Sequence, residues 1–149
     1  GKSTTIYRSG TPSTNLIAAT AIALEKAITN LDERNAIIKK YYTQIISNLK
    51  EYPKVTINNT EKSIPSIINL SLSGVKSDLI VSLFNERYIM ISSKTSCCPL
   101  NTPSKLVYAL TKNKNLATTS IRISLSHLTT SEEVAEFLKQ FAQIYKEVA

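Results

Sequence analysis

Apolar residues recur along the chain in two distinct rhythms, and the switch between them divides it. From Ser13 onward Leu16, Ala19, Ala23, Ala27 and Leu31 follow one another at spacings of three and four, the mark of a helix. Asn30 and Asp32 interrupt it. A second helical stretch then places Ile37, Ile38, Tyr41, Tyr42, Ile45, Ile46 and Leu49 on one wide stripe, which Pro53 ends. Beyond Pro53 the period shortens to two. Val55-Thr56-Ile57 is a short strand candidate, and Ile68, Leu70 and Leu72 alternate with Asn69, Ser71 and Ser73 as in a half-buried strand closed by Gly74. Ser77 is placed to N-cap a helix through Leu79, Ile80, Leu83 and Phe84.

A third strand is expected over Tyr88 to Ser92, followed by an irregular polar stretch from Ser93 to Asn101. Thr102-Pro103 suits an N-cap with proline at the first helical position, opening a short helix with Leu106, Val107 and Leu110. Lys112 to Asn115 reads as a polar turn. Ile121, Ile123 and Leu125 alternate with Arg122, Ser124 and Ser126 as a fourth strand, whose polar face carries Arg122. Thr130-Ser131-Glu132-Glu133 fits a capping box for a terminal helix through Val134, Phe137, Leu138, Phe141, Ile144 and Val148. The order is two helices, then β-β-α-β-loop-α-β-α. It predicts an α+β chain with helices on one face of a small, mostly antiparallel sheet, preceded by a long helical arm. A boundary is expected near residues 52–54.

Composition narrows the classes. The chain has 149 residues, 42% of them apolar and 19% charged, which suits a packed core rather than disorder. No apolar run reaches the roughly 18 residues of a membrane span, and no secretory signal opens the chain, so a soluble protein without a membrane partner is expected. The net charge of +7 permits acidic partners. The basic residues are nevertheless scattered and no aromatic residues interleave with them as a stacking platform would, so nucleic acid is not an expected partner. Cys97 and Cys98 are adjacent and cannot staple a fold, which makes a reducing cytoplasm the default compartment. The chain begins Gly-Lys-Ser and its one methionine is Met90, as expected of a piece of something longer.

Few residues can carry chemistry. Two adjacent cysteines and one histidine, His127, do not supply a metal set at usual spacings. Gly1, Gly10 and Gly74 are too far apart for a phosphate loop, and no nucleophile elbow is present. Cys97 lies in a polar loop three residues after Lys94. An accessible thiol with thiolate character and an inert one are both compatible with that setting. Arg122 is by itself a solvated strand residue or a carboxylate receptor.

Three segments in order resemble the cysteine desulfurases of the NifS/IscS type, pyridoxal-phosphate enzymes of the class V aminotransferase group. They are Arg8-Ser9-Gly10-Thr11; Ser93-Lys94-Thr95-Ser96-Cys97 with Pro103-Ser104; and Ser120-Ile121-Arg122-Ile123-Ser124-Leu125 with Thr129-Thr130-Ser131-Glu132-Glu133. The segment from Ile68 through Gly74 to Asp78 resembles the same family's small domain. The resemblance implies the C-terminal portion of a fold-type I pyridoxal-phosphate transferase. Residues 1–53 would be the end of the large domain with connecting helices, and residues 54–149 the small domain carrying the cysteine loop. It further implies that Cys97 takes sulfur from L-cysteine as a persulfide, releasing alanine, for an acceptor or an iron-sulfur scaffold protein. Arg122 would hold the substrate carboxylate. Thr11 would reach the cofactor phosphate of the partner subunit in a homodimer.

The family's Schiff-base lysine follows a histidine, whereas His127 here precedes Leu128, so the isolated chain is expected to be inactive. Lys94 stands where the family usually has glycine and Cys98 where it has serine. His127 is expected to be a surface or hydrogen-bonding residue. Competing readings are another class V enzyme, such as a selenocysteine lyase or aminotransferase, and a non-catalytic sulfur-carrier or protein-interaction module.

Overall fold

The computed structural model describes residues 10–94 and 102–148. The chain divides into two compact units, Gly1–Arg34 and Asn35–Ala149. The first holds helix α1 (Thr14–Thr29), which follows Ser13 and ends at Asn30 as the spacing predicts, with no buried residue. Helix α2 (Leu31–Leu49) runs from the first unit into the second.

The second unit is built on three strands among the described residues: β1 (Val55–Ile57), β2 (Ile67–Leu72) and β3 (Ser120–Ser124), in the order β1-β2-β3 and antiparallel throughout. Register pairs Leu70 with Ile57 on one side and Ile121 on the other, and Ile68 with Ile123. Because side chains alternate across a strand, these residues share one face. The second half of α2, helix α3 (Ser77–Asn85) and helix α6 (Ser131–Val148) supply the residues that cluster with that face. Ile45, Leu49, Ile80, Phe84, Val134, Phe137, Phe141 and Ile144 join Ile68, Leu70, Leu72, Ile121 and Ile123 in one buried core. Phe84 stacks on Phe137 with ring centroids 5.4 Å apart, and Tyr52 meets Phe141 edge-on at 5.2 Å. The sequence boundary near 53 falls after Tyr41, Ile45 and Leu49, which belong to this core rather than to an arm outside it.

Several local expectations need correction. Helix α3 begins at Ser77 itself, with Lys76 at the cap position and no side-chain cap bond. Tyr88 to Ser92 is not a strand: Tyr88 takes a left-handed φ of 59°, Tyr88 and Ile89 spend their amides on Asn85 and Phe84 carbonyls, and only Ser92 bridges to Arg122. The alternation there reports burial, with Ile89 and Ile91 against the core and Met90 exposed, and not strand pairing.

The cap of helix α4 (Lys105–Thr111) is Ser104, whose Oγ accepts from the Val107 amide, rather than Thr102-Pro103. Lys112 to Asn115 is no simple turn. Lys112 is a left-handed helix stop at φ 53°, and Asn113 Oδ1 caps a further helix, α5 (Lys114–Thr119), by accepting from the Asn115 and Leu116 amides. Strand β3 ends at Ser124, one residue short of Leu125. The capping box holds in both directions: Thr130 N donates to Glu133 Oε2 at 2.9 Å, and Glu133 N to Thr130 Oγ1 at 3.2 Å.

Candidate functional site

The face of the sheet opposite the apolar core is polar, and a groove of about 330 Å³ lies on it. Its lining includes Asn58, Asn69 and Arg122 from the sheet side, Ser93 and Lys94 from the loop after Ser92, and Ile64, Ile67, Leu106 and Leu110 as apolar walls. Strand register explains the first group. Asn69 is the cross-strand partner of Arg122, and Asn58 follows β1, donating its amide to the Asn69 carbonyl at 2.8 Å.

Arg122 is half-buried. Its backbone exchanges both hydrogen bonds with Ser92, which fixes the guanidinium's stem, and Nη2 donates to Ser92 Oγ at 3.5 Å. Nε is buried with no hydrogen-bond partner, and among the described residues no carboxylate pairs with this side chain. A buried N–H left without an acceptor carries a desolvation cost, and a guanidinium fork in an apolar-walled groove is suited to recover it from a carboxylate.

Ser93 and Lys94, which follow Ser92, are each held by a side-chain hydrogen bond. Ser93 Oγ donates to Asp78 Oδ1 at 3.2 Å, tying Ser93 to the first turn of α3. Lys94 Nζ donates to the Thr102 carbonyl at 3.3 Å, so one bond spans the ends of segment 95–101. Cys97 and Cys98 belong to that segment and lie outside the described residues, as does Arg8. Thr11 is exposed ahead of α1 in the first unit. His127 is half-buried between β3 and α6 and does not line the groove. Tyr41, Phe137 and Phe141 are core residues.

The residues that sequence reasoning missed are amides and a hydroxyl. Asn58 Nδ2 donates to Asn69 Oδ1 and to Ser71 Oγ, both at 2.8 Å, and Ser71 Oγ donates to the Leu116 carbonyl of α5 at 2.8 Å. Their signal was present as Asn69 and Ser71 on the polar alternate of β2. Only the strand register and the position of α5 show that this alternate is wired together instead of facing water.

A model of the class V aminotransferases matches residues 2–137. The chain belongs to the class V aminotransferase family. Within it, the chain is 30% identical over 129 residues to the cysteine desulfurase IscS of Tolumonas auensis, covering 85% of this chain and 31% of that protein. Against the human cysteine desulfurase the figures are 31% over 130 residues, 85% and 28%. A solved NifS-like protein from Rickettsia africae superposes with a TM-score of 0.76 at 27% identity, covering 93% of this chain and 36% of that one. This class V chain therefore spans about a third of the length of the curated relatives it matches. That superposition spans nearly the whole of this α+β chain, its small antiparallel sheet included.

Proposed function

We propose that this chain is the C-terminal portion of a cysteine desulfurase, with the unit up to Arg34 belonging to the end of the large domain and the unit from Asn35 onward forming the small domain. The observation that carries the reading is Arg122. Its guanidinium, held by Ser92 and lacking any carboxylate partner among the described residues, lines a groove shared with Ser93 and Lys94, the root of the Cys97 loop. A receptor for a substrate carboxylate, in a chain whose family resemblance assigns Cys97 as the sulfur acceptor, supports sulfur abstraction from an amino acid. In this reading Arg122 orients L-cysteine by its carboxylate, and the Cys97 thiol receives the substrate's sulfur. L-cysteine and the thiol give alanine and a persulfide, so atoms and electrons balance without an outside oxidant. The persulfide then serves a sulfur acceptor.

The family implies pyridoxal phosphate, which supplies an electron sink when bound. The residues present do not fit a complete site for it. The sequence has no His-Lys pair; Thr11, the residue the resemblance assigns to the phosphate of a partner subunit, is exposed ahead of α1, as that role requires, but does not make a site by itself. The chain's own contribution is thus on the substrate side: Arg122 to orient and Cys97 to accept. The test is Cys97→Ser in the complete enzyme. Sulfide and persulfide release from L-cysteine should fall to background while cofactor content is retained. Sulfur transfer at an unchanged rate would overturn the assignment.

A further inference from the structure

The hydrogen-bond polarity of the amide network dictates which atom Asn69 offers to the groove. Ser71 Oγ has one proton, and it is committed to the Leu116 carbonyl. Toward Asn58 the hydroxyl can therefore only accept, which sets Asn58 with its Nδ2 facing both Ser71 and Asn69. Asn58 is 8% exposed, so this orientation is locked in a buried setting. Asn69 must in turn present Oδ1 to Asn58. Its Nδ2 is left pointing elsewhere, and the bonds Asn69 makes among the described residues use its Oδ1 and its backbone.

That free donor stands beside Arg122. Arg122 spends its backbone N–H and C=O on Ser92, so its pairing with Asn69 across the strands is of the non-hydrogen-bonded kind. Such pairs bring side chains closest, with Cα atoms about 4.5 Å apart. Both side chains lie on the same face and line the same groove. The backbone links of Asn69 to Asn58 and Asn59 would form with any residue at this position except proline. Holding Asn58 needs only an acceptor oxygen. Neither role accounts for the amide nitrogen.

We propose that Asn69 is the second donor of the carboxylate receptor, its Nδ2 binding one oxygen of the anion that Arg122 grips. The inference rests on the reading of Arg122 given above and extends it to a new residue. Asn58 and Ser71 are positioning residues that hold the Asn69 amide in donor orientation.

The test is a titration of the ¹⁵N-labelled full chain with L-alanine and, separately, with sodium acetate, following the Asn69 side-chain amide and the Arg122 Nε–H. Both signals should move along one saturation curve. Asn69→Asp keeps an acceptor for Asn58 but removes the donor, and Asn69→Ala removes the donor without adding charge. Each should weaken carboxylate binding by roughly tenfold or more, the scale of one hydrogen bond to a charged group. In the complete enzyme the same variants should raise KM for L-cysteine with little change in kcat. If Arg122 responds while the Asn69 amide does not, or if both variants bind as the parent does, the proposal fails and the Arg122 reading stands. If neither signal responds, the Arg122 reading fails and takes the proposal with it. Should a variant not fold, the two signals of the unaltered chain decide.

Discussion

The two faces of one small sheet are built from the same three strands and do opposite work. On one face Ile68, Leu70, Leu72, Ile121 and Ile123 pack with residues of α3, α6 and the second half of α2 in one apolar cluster. On the other, Asn69, Ser71, Ser120 and Arg122 occupy the alternate positions, with Asn58 beside them. Ser71 and Ser120 are as inaccessible to water as the leucines behind them. Burial alone therefore does not separate the faces. The apolar face gains from being removed from water, whereas the polar face is tolerable only while each buried donor and acceptor is matched. Of the three buried polar atoms left unmatched among the described residues, Arg122 Nε and Asn58 Oδ1 lie on residues of the groove, and the third, Asn48 Oδ1, belongs to α2.

The largest effect should come from breaking the apolar face. Phe84 is fully buried, stacked on Phe137 and adjacent to Phe141. Phe84→Ala removes a ring that its neighbours cannot collapse onto, and should cost about 3–5 kcal/mol by urea denaturation. A loss under about 1 kcal/mol would show that this side of the sheet is loosely packed.

The polar face should respond through hydrogen bonds rather than volume. Ser71→Ala deletes little bulk but leaves the Leu116 carbonyl without its donor and Asn58 Nδ2 without one of its two acceptors. The expected cost is about 1–3 kcal/mol, smaller than the core truncation and out of proportion to the single oxygen removed. The same variant frees the Asn58 amide to turn over, so it should also weaken carboxylate binding at a groove that Ser71 does not line. Unchanged stability with unchanged binding would mean that the network is not the organising element of this face.

The same contrast explains what the sequence made legible. Period-two alternation at Ile68, Leu70 and Leu72 located β2 and its core face, because apolar burial leaves a periodic trace. The alternate positions, Asn69 and Ser71, carry the composition of a solvent-facing side, but α5 covers Ser71 and Asn69 stays half-buried in the groove. That helix was invisible because its six residues, Lys114–Thr119, have no apolar stripe and depend on the Asn113 cap. Arg122 was legible on the polar face of its strand and from the family motif around it. Asn58 and Asn69 were not, since an amide pair across eleven residues is created by register and leaves no spacing to read. The strand expected at Tyr88–Ser92 failed for a related reason: alternation reports which side chains are buried, and the backbone pairs only at Ser92.

The smallest effect should come from neither face but from the solvent side of α6, where charge and hydrogen bonding act without burial. Glu136 Oε1 accepts from Gln140 Nε2 at 2.6 Å and Oε2 from Lys139 Nζ at 3.1 Å. The Gln140 bond first, and Lys139 second, hold its carboxyl below the ordinary value of 4.5. A carboxyl with a lowered value in the folded chain contributes stability that is fully present above 4.5 and is lost as pH falls through the lower folded value. Water and salt screen an exposed group of this kind. The Tm of Glu136→Gln should accordingly lie slightly below that of the parent at pH 7, keep that offset down to about pH 4.5, and converge with it in more acid solution. The offset should also shrink with added salt. An offset that grew on acidification would reverse the sign of this contribution. One as large as that of Ser71→Ala would mean that an exposed ion pair rivals a buried hydrogen bond, against the ordering that the two faces imply.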